Sequence, residues 1–450
     1  MPKTRPWRHV LTSALVALSA GTAACAQEAL LNDGQLDLDR RFTAAQLQGC
    51  EFDAPLPASS SQAVATARKL VPTPTGVYAG LYTIPVTLDG YHGYATDTGA
   101  FPPIVYSFHD LFSDSNDTDE PDREFDDAME GPTDLTPLQM ARILHEEGSI
   151  LALAWAVYCC DINIPEFFNI PEFFAGEVPP HDHVNRILAG QHDDLIRRNA
   201  RLIRDNGVPI MLTIMAEFNW QGFFLFGEDG RTWMTEADNL CEHYGDPRWP
   251  DGPERVRDMM RHIIDLFRDE GVNNVTWMMY SANNYMSPAE EDQSIWLHPR
   301  FYYAGDDYID WIGQSVYYAG EDWSGVIESV RTYYEVFLAG YEAWTSVTDK
   351  PMLLPEFGLS APANIDRTET FTRTFTEFLP ATPRVRAVAI GDADLFAGFF
   401  DLPRFSQRPE EVAVFQRHVL GDPFYHVPPR IEPVFRMRRM PDHYWPEQEQ

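Results

Sequence analysis

Residues 209–221, PIMLTIMAEFNWQ, constrain this chain more than any other stretch. Pro209 to Met215 is almost wholly apolar and follows an Asn206-Gly207 turn signal. Its length and flank read as a buried strand rather than a helix. The strand ends on Glu217, with Asn219 and Trp220 just after it. A greasy strand that delivers an acid, an amide and an indole at its C-terminal end is how a parallel barrel presents chemistry to its open face. Residues 350–358, KPMLLPEFG, repeat the design: an apolar strand, then Glu356, then a glycine.

One glutamate after a strand is ordinary, because strand ends are often polar. Two of them at the ends of two strands of one barrel fit the two-carboxylate chemistry that cleaves glycosidic bonds. The rest of the chain supplies the strands and helices such a barrel needs. Strands are expected at 77–82, 103–108, 149–155, 275–280, 309–316 and 385–390, besides the two that end on glutamate. Helices are expected at about 253–268, 325–347 and 409–420. In the first of these, Val256, Met259, Met260, Ile263, Ile264 and Phe267 recur at helical spacing and form a core stripe. With 450 residues and 44% hydrophobic composition, a large core is available. The expected architecture is α/β: a single (β/α)8 TIM barrel over residues 72–425. Residues 27–71 read as an N-terminal tether, and residues 426–450 as a C-terminal tail lying on the surface.

Residues 1–26 read as a signal peptide. Lys3, Arg5 and Arg8 form a basic segment, and Val10 to Gly21 an apolar one too short to span a bilayer as a mature helix. Ala24-Cys25-Ala26 is a small-x-small cleavage site; alternatively, Cys25 resembles the lipid-bearing cysteine of bacterial lipoproteins and would attach the protein to a membrane. Both fates imply export: periplasmic, extracellular or anchored to the outer membrane. Of the five cysteines, Cys50, Cys159, Cys160 and Cys241 then remain, enough for two disulfides. Their spacing lacks the paired ligands of a zinc site, so no metal is expected.

Net charge is −34, and lysine occurs only at positions 3, 69 and 350. Such a surface repels polyanions, which excludes nucleic acid as a partner and favours neutral over uronate-rich polymers. Residues 110–130 hold ten acids against one arginine and read as a solvated loop.

Three further stretches carry a family resemblance. Residues 186–206, RILAGQHDDLIRRNARLIRDN, precede the first glutamate strand. Residues 253–283, PERVRDMMRHIIDLFRDEGVNNVTWMMYSAN, and 302–317, YYAGDDYIDWIGQSVY, follow it. In this order and spacing they resemble glycoside hydrolase family 26, the β-mannanase-type family of (β/α)8 barrels. The resemblance implies a monomeric, cofactor-free retaining glycosidase acting on a polysaccharide, with Glu217 as acid/base and Glu356 as nucleophile. In a retaining enzyme the two carboxyls stand about 5–5.5 Å apart. The resemblance also implies a tyrosine, here Tyr317, near the nucleophile. Asn219, Trp220, Trp155 and Trp277 are the expected sugar-binding residues, since sugars stack their C–H faces on aromatic rings.

The family usually has an arginine four residues before the acid/base and a histidine immediately before it; here these are Thr213 and Ala216. That departure leaves the substrate open among β-1,4-mannan, mixed-linkage β-glucan and β-1,3-xylan. It also keeps in view a transglycosylase and a non-catalytic, glycan-binding lipoprotein. A tandem hexamer, NIPEFF at 163–168 and 169–174, follows the third strand and reads as a rim insertion.

Overall fold

The computed structural model describes residues 67–84, 86–110, 125, 135–156, 187–219, 253–282, 299–318, 330–359, 366–392, 404–425 and 428–434. Residues 1–26, all five cysteines, the NIPEFF repeat, Trp220 and nearly all of the acidic loop lie outside them.

A parallel sheet closes on itself. Its strands are β2 (Tyr78–Tyr82), β3 (Ile104–Asp110), β4 (Ile150–Ala156), β5 (Ile210–Ile214), β6 (Val275–Ser281), β7 (Trp311–Gln314), β9 (Met352–Leu359) and β10 (Val385–Gly391). They neighbour one another in that order, and β10 pairs with both β2 and β9 to complete an eight-stranded barrel. The expected strand at 309–316 is broken at Ser315 into β7 and a short β8 (Val316–Tyr318), both of which pair with β9. Outside the strands lie α1 (Leu88–Thr98), α2 (Pro137–Glu146), α3 (Asp193–Asn206), α4 (Pro253–Asp269), α5 (Val330–Thr345), α6 (Arg367–Arg373) and α7 (Pro409–Phe415). The helix-ending turn read at Asn206-Gly207 is present: Gly207 caps α3 with φ 74°, a left-handed conformation suited to glycine, and its N–H bonds Ile203 O.

Two apolar layers explain why every strand is greasy on both faces. On β4, Leu151, Leu153 and Trp155 face the helices, whereas Ile150, Ala152 and Ala154 face the lumen. The small alanines leave room for the large lumen residues of other strands, Tyr78, Tyr82, Tyr106, Tyr280 and Trp311. The six α4 residues read as a core stripe are all buried against the outer layer.

The N-terminal end of the barrel is closed by a feature the sequence reading did not foresee. The last residues of the expected tether, β1 (Ala67–Val71), pair antiparallel with β11 (Arg430–Val434) from the expected surface tail. Leu70 N donates to Thr276 Oγ1 at 2.8 Å, and Trp311 Nε1 donates to Leu70 O at 2.9 Å. Leu70 and Ile431 thereby cover the apolar floor of the lumen. An open barrel end exposes apolar residues, and covering it favours pairing these two segments; residues 27–66 and 435–450 lie outside the described residues. Two of the three lysines sit here, Lys69 on Asp310 and Lys350 donating to Asp306 O at 2.9 Å.

Candidate active site

The two glutamates arrive at the same mouth by different local devices. Glu217 follows β5 in a tight turn where two non-glycine residues have positive φ, Met215 at 65° and Glu217 at 47°. An L-residue in that region costs about 1–2 kcal/mol, so the turn persists only because its surroundings hold it. Met215 N bonds Trp155 O at 3.1 Å, and Asn219 Oδ1 accepts from Ala282 N at 2.7 Å. The Phe218 ring lies 4.9 Å from that of Tyr302 and 5.9 Å from that of Trp344.

Glu356 reaches the lumen through a bulge in β9. Val388 pairs with Leu354 and Ile390 with Phe357, so two residues of β10 span three of β9. Leu354 and Phe357 both face the helices. The extra residue reverses the alternation and turns Glu356 inward, a bulge that Pro355 assists because it has no N–H to give a ladder. Glu356 is buried and accepts a hydrogen bond on Oε1 from Tyr280 Oη, which in turn accepts from Tyr106 Oη at 2.7 Å.

Ser315, in the break between β7 and β8, donates its hydroxyl to Glu217 Oε1. Its own N–H is held by Ser281 O at 2.9 Å. The Glu217 carboxyl is pushed up to about 8, first by burial and then by the neighbouring Glu356 charge, with the Ser315 hydroxyl opposing. One carboxylic acid that keeps its proton near neutral pH therefore faces a second carboxyl group held by a phenol.

Not every residue expected to bind sugar is at this mouth. Trp155 and Trp277 point outward: the Phe267 ring of α4 packs against both, at 5.8 Å and 5.1 Å. They are core residues, because on β4 and β6 their parity is that of the helix-facing set. Asn219 is fully buried and ties its turn to β6, so it offers no surface to a sugar. Tyr317 pairs with Gly358 beside the Glu356 bulge, and Trp220 lies outside the described residues. Thr213, at the family's arginine position, faces the lumen strands and donates to Met278 O at 2.8 Å; Ala216 joins the lumen cluster. Among the lumen rings, Phe108 is the partly exposed one, 6.2 Å from Tyr82 and 5.6 Å from Tyr106.

The outward placement has a measurable consequence. Trp277→Phe is expected to lower stability by about 1–3 kcal/mol, as a core truncation does, and to leave KM for polymer within about twofold, as loss of a non-contact does. Urea unfolding and steady-state kinetics on the same protein check it; a tenfold rise in KM at unchanged stability would return Trp277 to the sugar site.

Sequence reasoning missed Ser315, Tyr280 and Tyr106. A polar Gln314-Ser315 pair inside an apolar strand was a signal for the first. Nothing marked the two tyrosines apart from other core aromatics.

Residues 177–362, which carry Glu217, Tyr280, Ser315 and Glu356, match the family model described as Glycosyl hydrolase family 26. No curated protein sequence matches the chain. Similar solved structures include a Bacillus subtilis mannanase, 12% identical, covering 84% of this chain and 92% of that one with a TM-score of 0.47. A family 26 β-mannanase from Bacteroides ovatus is 14% identical over 78% of this chain and 93% of its own, with a TM-score of 0.46. A two-module β-(1,4)-mannanase from Podospora anserina is 17% identical over 78% and 62%, with a TM-score of 0.41. The segment that holds both glutamates, set on an eight-stranded parallel barrel, is thus similar to glycosyl hydrolase family 26, a family of glycoside hydrolases.

Proposed function

We propose that this chain is a retaining endo-β-glycosidase acting on a neutral β-linked polysaccharide, β-1,4-mannan first among them. The observation that carries the reading is the difference between the two carboxyl environments. Glu217, held up to about 8, is the group that keeps a proton to give. Glu356, accepting a phenolic hydrogen bond, is the group held for attack.

In the first step Glu356 attacks the anomeric carbon while Glu217 protonates the departing glycosidic oxygen. In the second, Glu217, now ionised, takes a proton from water, and the water oxygen displaces Glu356 from the same carbon. Ser315 supports both steps: its hydroxyl holds the Glu217 carboxyl in place whether that group is protonated or charged. Two displacements restore the original anomeric configuration.

The acidic surface favours neutral chains over uronates, and mannan leads as the usual substrate of the family that the sequence resembles. Thr213 and Ala216 replace two polar groups beside the reacting sugar. Each such contact is worth about 1–3 kcal/mol of discrimination, so mixed-linkage glucan and β-1,3-xylan are the alternatives. In this reading the enzyme is exported by its N-terminal segment and works as a monomer outside the cytoplasm.

The test is a panel of mannan, glucomannan, mixed-linkage glucan, β-1,3-xylan and alginate, with products sized and their anomers read early by NMR. Oligosaccharides of mixed length with β anomers appearing first are the expected result. Early α anomers would rule out retention, monosaccharide alone would indicate an exo-enzyme, and no product from any polymer would favour a glycan-binding protein on a hydrolase barrel.

A further inference from the structure

We propose that Tyr280 and Tyr106 form a two-phenol relay that positions Glu356 and keeps it ionised, with Tyr280 as the positioning residue and Tyr106 as the group that strengthens it. The inference rests on the reading of Glu356 as nucleophile and goes beyond it.

Three observations carry the relay. First, the chain of donors is continuous across three strands: Tyr106 of β3 donates to Tyr280 of β6, and Tyr280 donates to Glu356 of β9. Second, neither phenol is available to a sugar, because both side chains are fully buried in the lumen layer, ring centroids 6.0 Å apart at 85°. A buried hydroxyl that bonds a carboxylate from beneath acts on the reaction only through that carboxylate. Third, the barrel is built to bring Tyr280 close. A Cβ at Gly313 would sit 3.0 Å from Tyr280 Cβ and 2.3 Å from Leu353 O, so only glycine lets β7 pass between them.

Among the described residues, the titratable groups set against Glu356 include Glu217 from the β5 turn, Tyr280 from β6 and, behind it, Tyr106 from β3. Burial and the Glu356 charge raise the Tyr280 phenol well above its ordinary value. Its proton therefore stays on the phenol, and the phenol stays a donor to the carboxylate. Tyr106 donates into the Tyr280 oxygen and makes Tyr280 a stronger donor, as chained hydrogen bonds do in a low-dielectric interior.

A donor of this kind favours the charged form of Glu356. It has most to offer where that charge returns, when the bond from the anomeric carbon to the carboxylate oxygen breaks and its electron pair goes back to Glu356. Tyr280→Phe, which keeps the ring and removes the donor, is therefore expected to slow release of the glycosyl-enzyme. With 2,4-dinitrophenyl β-mannobioside (or the β-cellobioside or β-xylobioside, if the polymer panel selects glucan or xylan), kcat should fall by roughly 10- to 100-fold, the worth of a hydrogen bond to a charged group. KM should fall with it, because intermediate accumulates. The acidic limb of kcat/KM should move up by about one pH unit, since an unassisted carboxylate is more basic. Tyr106→Phe should shift both quantities in the same direction by less.

Labelling of the full-length protein with the corresponding 2-deoxy-2-fluoro glycoside, followed by peptide mapping, separates the two ideas. Label on Glu356 together with a displaced acidic limb in both variants supports the relay. Label on Glu356 with acidic limbs and KM coincident with wild type overturns the relay and leaves the nucleophile standing. Label on another residue overturns both. Should Tyr280→Phe fail to fold, Tyr106→Phe decides by the same limb.

Discussion

Glu356→Ala is expected to lower kcat/KM on polysaccharide by at least about 10⁴-fold, the scale of removing the central group of a catalytic unit. The argument is local. The β9 bulge exists to aim one side chain, and the pairing of Leu354 and Phe357 with β10 continues on either side of it. Removing the carboxylate therefore leaves the strand, its apolar partners and the Tyr280–Tyr106 pair in place, so the loss falls on chemistry rather than folding. The cavity left behind also accepts a small anion. Added azide should restore part of the turnover of a substrate with a good leaving group, giving an α-glycosyl azide by a single displacement from the vacated face. Polymer assays show the loss, and NMR of the azide product shows the configuration. Near-normal activity in this variant would falsify the nucleophile assignment, and a β-configured azide would contradict its geometry.

The second large effect is at Glu217, and it depends on pH. In the proposed mechanism the group must be protonated to give its proton in the first step, and its value of about 8 keeps it protonated through neutral pH. The sign follows directly: kcat/KM on polymer should be level between its acidic limb and pH 8 and fall about tenfold per pH unit above it. Glu217→Gln removes that alkaline limb along with the acid. Polymer hydrolysis should drop by about 10²- to 10⁴-fold, the usual worth of positioned acid–base catalysis. A dinitrophenyl glycoside, whose leaving group needs no proton, should still form the intermediate and accumulate it. Ser315→Ala, by contrast, removes the interaction that opposes the upward shift, so the alkaline limb should move to higher pH while activity is partly kept. An alkaline limb unchanged in Glu217→Gln would assign it to some other group.

Much of this arrangement was legible in the chain. The eight strands fall within a few residues of their expected bounds, because short apolar runs between amphipathic helices have few other solutions. The α4 stripe and the Gly207 cap follow from periodicity and backbone sterics alone. Both glutamates stand out in the sequence because each ends an apolar run, a contrast of polarity that needs no coordinates.

The misplacements share one cause. A strand buried on both faces carries no sign of which parity faces the lumen, since both sets are apolar. Trp277 and Tyr280 are three residues apart on β6 and look alike in the sequence, yet one packs on Phe267 of α4 and the other touches Glu356. At Glu356 parity itself is broken, because the bulge inserts a residue that alternation does not count.

The sequence by itself determined the strand and helix pattern, the pair of strand-end acids and the acidic, lysine-poor surface, all of which are properties of neighbouring residues or of composition. Tertiary structure alone decided which aromatic rings face inward, that β1 and β11 close the floor, and that Ser315 serves Glu217 while Tyr280 serves Glu356. Those partners lie 98 and 76 residues apart in the chain. Only barrel closure, which brings the C-terminal ends of all eight strands to one mouth, makes such distant hydroxyls and carboxylates neighbours.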